Sequence, residues 1–357
     1  MIQPLPPGST IGILGGGQLG RMLAMAAAQI GYRCHVYAPE GRAVAADVCE
    51  TRTTAAFEDE AALGRFADAC DVLTYEFENV PTAPLKALGL ADMVRPGIPA
   101  LDIAQSRIAE KNFFSDLGAR TAPFAWVEDD TTLEDAVEQI GAPAILKTDR
   151  MGYDGKGQAR IDAAEAVRRG WSKIGQRPAV MEGFVSFDAE FSVILVRAAS
   201  GEIRFWDSTR NIHEDGILRR SIWPAGPAIE GQVAEARNLA RTAAERLGAI
   251  GVLTFEFFAT ADGPLFNECA PRVHNSGHWT IEGAVTSQFE NHIRAIAGLP
   301  LGDCGTVGRR IEMSNLIGDE IGESAAILGD QAAHLHHYGK ADARPGRKMG
   351  HVTKLYF

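Results

Sequence analysis

The stretch at residues 251–279, GVLTFEFFATADGPLFNECAPRVHNSGHW, sets the tightest limit on the fold. Two β-rich runs flank a turn. Residues 252–258 are aromatic and β-branched, residues 265–269 are a shorter apolar run, and Thr260-Ala261-Asp262-Gly263-Pro264 between them is hairpin-turn chemistry. With the turn centred on Asp262, Glu256 falls opposite Glu268. Cross-strand partners on one face have Cβ atoms about 4.5–5.5 Å apart. Two carboxylates that close repel each other unless one is protonated or a cation lies between them. A hard divalent ion suits the pair: Mg²⁺ takes one or two carboxylates and completes its octahedron with phosphate oxygens and water. The alternative is an ordinary hairpin with solvated acids on its outer face. The residues that follow count against it. Arg272, His274, Asn275 and His278 place a guanidinium, two imidazoles and an amide just past the second carboxylate. An anion-binding site needs that density of polar groups, and a folding core does not.

At 357 residues the chain exceeds the usual single core, so two or three domains are expected. Apolar content of 46% and charged content of 23% are those of an ordinary soluble enzyme. No run of about 18 apolar residues occurs, which predicts no transmembrane helix. The opening MIQPLPPGST has neither the basic nor the apolar region of a signal peptide. The five cysteines are odd in number and widely spaced, which points to reduced thiols and a cytoplasmic protein. A net charge of −11 argues against a broad nucleic-acid surface but leaves room for a local site for small anions.

Residues 9–14 read as a strand. GGGQLG at residues 15–20 follows and matches G-x-G-x-x-G, and an Ala/Met-rich helix runs on to Ile30. Glycines let backbone approach an anion, and the helix N-terminus offers N–H groups. A dinucleotide site needs an acid at the end of the second strand. Residues 33–37 run instead into Ala38-Pro39, and Glu40 comes late, so a phosphate is favoured over NAD. Residues 72–75 form a third buried strand ending in Glu76, which is placed to meet whatever the glycine loop holds. Glu78 and Asn79 read alternatively as caps of the next helix. Residues 1–104 thus form a doubly wound α/β domain, and residues 95–99 a linker.

Residues 100–117 are helical and carry Arg107 and Lys111. A strand, a helix capped by Thr131 or Thr132, and a strand ending in Lys147 begin a second unit. Gly152, Tyr153, Asp154, Gly155, Lys156, Gly157 and Gln158 form a loop able to wrap phosphates. It is no Walker A motif, since no GK[ST] closes it. Further strands are expected at residues 178–181, 191–198, 203–207 and 311–317, a polar loop at 209–216, and helices at 230–247 and 288–299. From Tyr338 onward, Lys340, Arg344, Arg347, Lys348 and Lys354 face only Asp342, as a solvated basic tail or an anion clamp. His334, His336 and His337 are discounted as a metal site, because adjacent strand residues point to opposite faces.

A lysine-ended strand, the GYDGKGQ loop, Glu190 and a carboxylate pair on a late hairpin together resemble the ATP-grasp superfamily. GGGQLGRM, YEFENV, GYDGKGQ, NECAPRVHNSGHWT and GRKMGHVT narrow the resemblance to the N5-carboxyaminoimidazole ribonucleotide synthetase family of purine biosynthesis, across nearly the whole chain. The resemblance implies a three-domain architecture: an N-terminal α/β domain at 1–104, a lid domain at 105–184, and an ATP-grasp domain with α+β character at 185–357. It implies ATP contacts from Arg107, Lys147, the loop Gly152 to Gln158, the backbone of Glu182, Gly183, Phe184 and Val185, and Glu190, His213, Asn267 and Glu268. Glu256 and Glu268 would hold Mg²⁺. The ribonucleotide would contact Gly17, Gln18, Leu19, Glu76, Tyr153, Asp154, Arg272, Lys340, Arg347 and Lys348. Arg272, His274 and Asn275 would hold bicarbonate and the carboxyphosphate made from it, and Asp154 or His274 would take the amine proton. Val273 departs from the family's frequent proline. A homodimer is implied, with no nucleic-acid or membrane partner. The rivals are a sibling ligase such as a formate-dependent one, an NAD-dependent oxidoreductase, and a non-catalytic nucleotide-binding module.

Overall fold

The computed structural model describes residues 3–152 and 157–357. The expectations for Tyr153, Asp154, Gly155 and Lys156 lie outside the described residues. Three sheets follow one another along the chain. The first holds β1 (Thr10–Leu14), β2 (Arg33–Ala38), β3 (Thr51–Thr54), β4 (Val72–Tyr75) and β5 (Val94–Arg95), all parallel in the order β3-β2-β1-β4-β5. The central β1 and β4 are apolar along nearly their whole length, as strands covered on both faces must be. β3 reads TRTT and lies at the edge, so it carries no apolar signal and Val72–Tyr75 is the fourth strand, not the third. Val94–Arg95 corrects the expected linker. Its strand pairs with β4, and the helix Ile98–Ala104 starts from Gly97 with a proline in its first turn.

The second sheet holds β6 (Phe124–Val127), β7 (Ala144–Thr148), β8 (Gln158–Ile161) and β9 (Ala179–Gly183), antiparallel in the order β6-β9-β7-β8. The helices Asp130–Ile140 and Val167–Lys173 cover it through Leu133, Ala136 and Trp171. Asp129, not Thr131 or Thr132, is the cap of the first, with Thr132 closing a capping box.

The third sheet has nine strands: β10 (Ala189–Arg197), β11 (Ile203–Phe205), β12 (Arg210–Glu214), β13 (Ile217–Trp223), β14 (Gly251–Thr260), β15 (Gly263–Ala270), β16 (Arg310–Ile317), β17 (Ala333–His337) and β18 (Lys348–Tyr356). Their order is β15-β14-β10-β12-β13-β16-β18-β17, with β11 on β10. The period-two alternation of β10 divides two cores. Ile194 and Val196 join Phe289 and Ile293 of the helix Gln288–Ile296. Val193 and Leu195 join Ala236 and Ala240 of the helix Val233–Arg246.

Two expectations fail here. The polar loop at 209–216 is mostly β12, and its polarity is internal: buried Asn211 bonds Ser192 and Ser221 on the flanking strands. The basic tail is not a tail, because β18 lies inside the sheet between β16 and β17. The first sheet docks on the third through the helix Gln288–Ile296, where Thr74 Oγ1 meets His292 Nε2 at 2.8 Å. All five cysteines are free thiols. Among the described residues no helix is long and apolar enough to cross a membrane.

Candidate active site

The first sheet reverses its strand order between β1 and β4, and ligands of such sheets lie beyond the carboxyl ends of strands at that point. Here β1 delivers the glycine loop and β4 delivers Glu76, and the two lock together. Glu76 Oε1 accepts the Gly17 N–H at 2.8 Å. A Cβ at Gly15, whose φ is +110°, would lie 2.6 Å from Glu76 Oε1, and one at Gly17 2.8 Å from Oε2. The glycines are there for the carboxylate as much as for a ligand. Burial pushes the Glu76 carboxyl above its ordinary range, with the Gly17 bond and Arg272 opposing.

A cleft of about 750 Å³ opens beside this lock. Gly17, Gln18, Leu19 and Glu76 line one side. Lys340 and Arg347 come from the segment before β18 and Lys348 from its first position, and Arg272, His274, Asn275, Glu256 and Glu268 come from the hairpin and the residues after it. Arg107 and Gly152 reach it from the second unit. Lys147, Gly157, Gln158, Glu182, Gly183, Phe184, Val185, Glu190, His213 and Asn267 do not line it. Gln158 opens β8 and pairs with Lys147.

Glu256 stands opposite Glu268, though by a different route from the one the turn suggests. The turn is only Ala261-Asp262, and in that register Glu256 would face Asn267. A β-bulge between Glu256 and Phe257 shifts the pairing, so Asn267 and Glu268 together oppose Glu256. The alternation of β15 breaks at this point into three half-buried residues, Asn267, Glu268 and Cys269. Burial pushes Glu256 up to about 7, with Glu268 adding to it. Glu268 moves the other way: burial raises it, but Arg107 at 3.3 Å and the nearby lysines outweigh that.

Glu78 binds Arg272 at 2.6 Å and so caps no helix; Pro81 precedes the helix Thr82–Ala87 without a side-chain cap. The Arg272 Nε is buried without a partner among the described residues. His274 Nε2 lies 3.5 Å from Glu256, and burial, then Arg272 and Lys348, push its pKa well down. Asn275 exchanges two hydrogen bonds with Asn315. Lys340 donates to the Lys348 carbonyl at 2.7 Å.

Lys147 pairs with Glu182 at 3.0 Å, and buried Lys111 joins the same carboxylate at 3.3 Å. Burial raises Glu182, but Lys147, Lys111 and Arg107 overcome it and hold it at about 2. The Gly183 and Phe184 N–H groups already bond Pro123 and Pro143, which leaves a base only the other groups of that segment. Glu190 and His213 meet as an ion pair on adjacent strands. His336 pairs with Glu282, and among the described residues no group of three or more His, Cys, Asp or Glu is placed to hold a metal ion.

Sequence reasoning read Glu78 only as a helix cap and Lys111 only as a residue of its helix, and it missed Glu110. For the last two a signal existed: with Arg107 they stand at i, i+3 and i+4, so one helix face is charged.

The sequence matches the model of the ATP-grasp domain over residues 112–289, of the ribonucleotide synthetase preATP-grasp domain over 9–105, and of the phosphoribosylaminoimidazole carboxylase C-terminal domain over 312–356. It is 49% identical to the N5-carboxyaminoimidazole ribonucleotide synthase of Brucella melitensis, over 98% of this chain and 97% of that one. A crystal structure of an N5-carboxyaminoimidazole ribonucleotide synthetase in complex with ADP superposes with a TM-score of 0.94 at 39% identity, over 99% of this chain and 94% of that one. The N5-carboxyaminoimidazole synthase of Aspergillus clavatus, in complex with ADP and 5-aminoimidazole ribonucleotide, has a TM-score of 0.90 at 29% identity, over 98% and 94% of the two chains.

Proposed function

The chain belongs to the N5-carboxyaminoimidazole ribonucleotide synthase family of ATP-grasp ligases, and from that premise we propose how its residues share the work. The protein binds ATP and 5-aminoimidazole ribonucleotide and carboxylates the ribonucleotide at the expense of ATP, in purine biosynthesis. Bicarbonate is the carboxyl source, carboxyphosphate the intermediate, and N5-carboxyaminoimidazole ribonucleotide, ADP and phosphate the products.

The observation that carries this assignment is the half-buried carboxylate pair facing a basic cleft. Glu256, raised to about 7 by burial and by Glu268, lacks the compensating charge it needs when ionised. That fits Mg²⁺, which Glu256 and Glu268 would hold and which would neutralise the γ-phosphoryl oxygens. Arg107 and Lys147 add positive charge at the phosphates, and Gly152 to Gln158 close over them. Glu190, His213 and Asn267 hold the nucleoside end, with the free backbone groups of Glu182 to Val185 on adenine.

The ribonucleotide phosphate lies between the Gln18 and Leu19 N–H groups and the segment of Lys340, Arg347 and Lys348. Gly17 supports this indirectly, since its N–H is taken by Glu76. Arg272, steadied by Glu78, brings its guanidinium to bicarbonate, and His274 and Asn275 complete that subsite. Phosphoryl transfer asks for positioning and charge more than for covalent help, and these residues supply both. His274 acts as a neutral donor, which leaves Asp154 to take the amine proton. The domains divide at 1–104, 105–184 and 185–357, one sheet in each. Five free thiols suit a cytoplasmic protein, and family resemblance suggests a homodimer.

The test is ADP release from ATP and Mg²⁺, with bicarbonate and the ribonucleotide each added or withheld. A requirement for both, with a carbamate product, is expected. Release indifferent to both would overturn the carboxylation, turnover with formate would move the protein to a sibling ligase, and no release would leave a binding module. Light scattering on the same preparation should give twice the chain mass; the single-chain mass would remove the dimer.

A further inference from the structure

We infer that Glu110 and Lys111 form a bracket that sets the bulge of β15, and through it the cation affinity of the carboxylate pair. One face of the helix Arg107–Asp116 holds three consecutive strand residues. Lys111 Nζ donates to the Asn267 carbonyl at 3.1 Å. Arg107 reaches the Glu268 carboxylate at 3.3 Å. The Cys269 N–H donates to Glu110 Oε1 at 2.6 Å. A bulge breaks the ladder locally and leaves its extra residue unpaired. Buried backbone groups left so cost free energy comparable to a lost hydrogen bond. Glu110 and Lys111 supply partners at that place from inside the protein, where both are almost wholly buried.

The side chains of a regular strand alternate between faces, so Asn267 and Glu268 could not both stand against Glu256 without the bulge. The bracket is also tied to the second sheet. Lys111 binds Glu182, and Glu182 binds Lys147, so the phosphate-side lysine and the cation-side strand share one buried network. Without Glu110 or Lys111 the bulge has less to hold it in register, and Glu268 loses its fixed place opposite Glu256. Both are positioning residues: they act on the cation through Asn267, Glu268 and Cys269.

The inference rests on the assignment of Glu256 and Glu268 to the cation, so the test has two arms. The first needs no cation: amide hydrogen exchange of residues 265–270 in the wild-type chain, Glu110→Ala, Glu110→Gln and Lys111→Met. Exchange should quicken at least tenfold in Glu110→Ala and Lys111→Met, and stay near wild type in Glu110→Gln, whose amide oxygen still accepts the Cys269 N–H. The second arm titrates Mn²⁺ with ADP present, read by electron paramagnetic resonance. Affinity should fall about tenfold in the first two variants and recover in Glu110→Gln. If Lys111→Met does not fold, the Glu110→Ala and Glu110→Gln pair carries both arms. Unchanged exchange and unchanged Mn²⁺ affinity in folded Glu110→Ala would overturn the bracket. A wild-type chain that takes up no Mn²⁺ would overturn the cation assignment, and the exchange arm would still decide the bracket.

Discussion

Ser276 donates its backbone N–H to His274 Nδ1 at 3.3 Å, and its hydroxyl lies 2.9 Å from the same nitrogen. A neutral imidazole has one donor and one acceptor nitrogen. With Nδ1 accepting, the proton sits on Nε2, the nitrogen that faces Glu256. Burial, Arg272 and Lys348 keep the ring from taking a second proton. His274 therefore offers an N–H to an anion and has no lone pair there for an amine proton. Glutamine can place an N–H where Nε2–H lies; alanine cannot. His274→Gln should keep kcat within about tenfold, whereas His274→Ala should lose about 10²–10³, the usual cost of removing a donor to a developing oxyanion. Equal losses in the two variants would return His274 to the role of base.

The lock between the glycine loop and the end of β4 makes a second, separable prediction. In Gly17→Ala the new Cβ meets the Glu76 carboxylate at 2.8–2.9 Å, so that carboxylate must move and the Gly17 bond is lost. Crowding and a lost buried bond together cost about 1–3 kcal/mol. The KM for the ribonucleotide should rise about tenfold or more while the KM for ATP stays within about twofold, both read from initial rates. Parallel rises would mean the loop serves the whole cleft. The sequence showed this element in part. Strand, glycine loop and helix were legible because hydrophobic period and glycines are local signals. That Glu76 turns back onto the loop was not, since it depends on Gly17 and Glu76, 59 residues apart, coming together at the ends of two strands. The hairpin behaved likewise: its two strands and its facing glutamates were visible, while the bulge that aligns them is held from another helix. β12 was misread because its buried Asn211 bonds Ser192 and Ser221 inside the sheet, and a polar run in sequence looks the same whether its partners are water or protein. β18 was misread because its lysines masked a strand that buries Met349, Val352 and Leu355.

Within the apolar core shared by the first and third sheets, one imidazole bridges them by hydrogen bonds. His292 Nδ1 accepts the Val252 N–H at 3.1 Å, so its Nε2–H donates to Thr74 Oγ1 at 2.8 Å. Each bond goes to a strand of a different sheet, β14 and β4. Both need the neutral ring, and burial pushes its pKa down to about 3. The unfolded chain holds this histidine at about 6.5. Between those values the unfolded state binds the extra proton, so stability rises with pH across the window. The contribution of His292 is complete above about 6.5 and is lost as pH falls toward about 3, with a slope of at most about 1.4 kcal/mol per pH unit. His274, His278 and His351 are also held neutral by burial and add slope of the same sign. The comparison must therefore be with a chain that keeps those three. In His292→Gln the amide can bridge the same strands without titrating. Urea unfolding free energies between pH 6 and 4.5 should fall more steeply in the wild-type chain, by about 1 kcal/mol per pH unit. Parallel slopes would mean that His292 does not stay neutral in the folded protein, and that the contact between the sheets tolerates a charge at its centre.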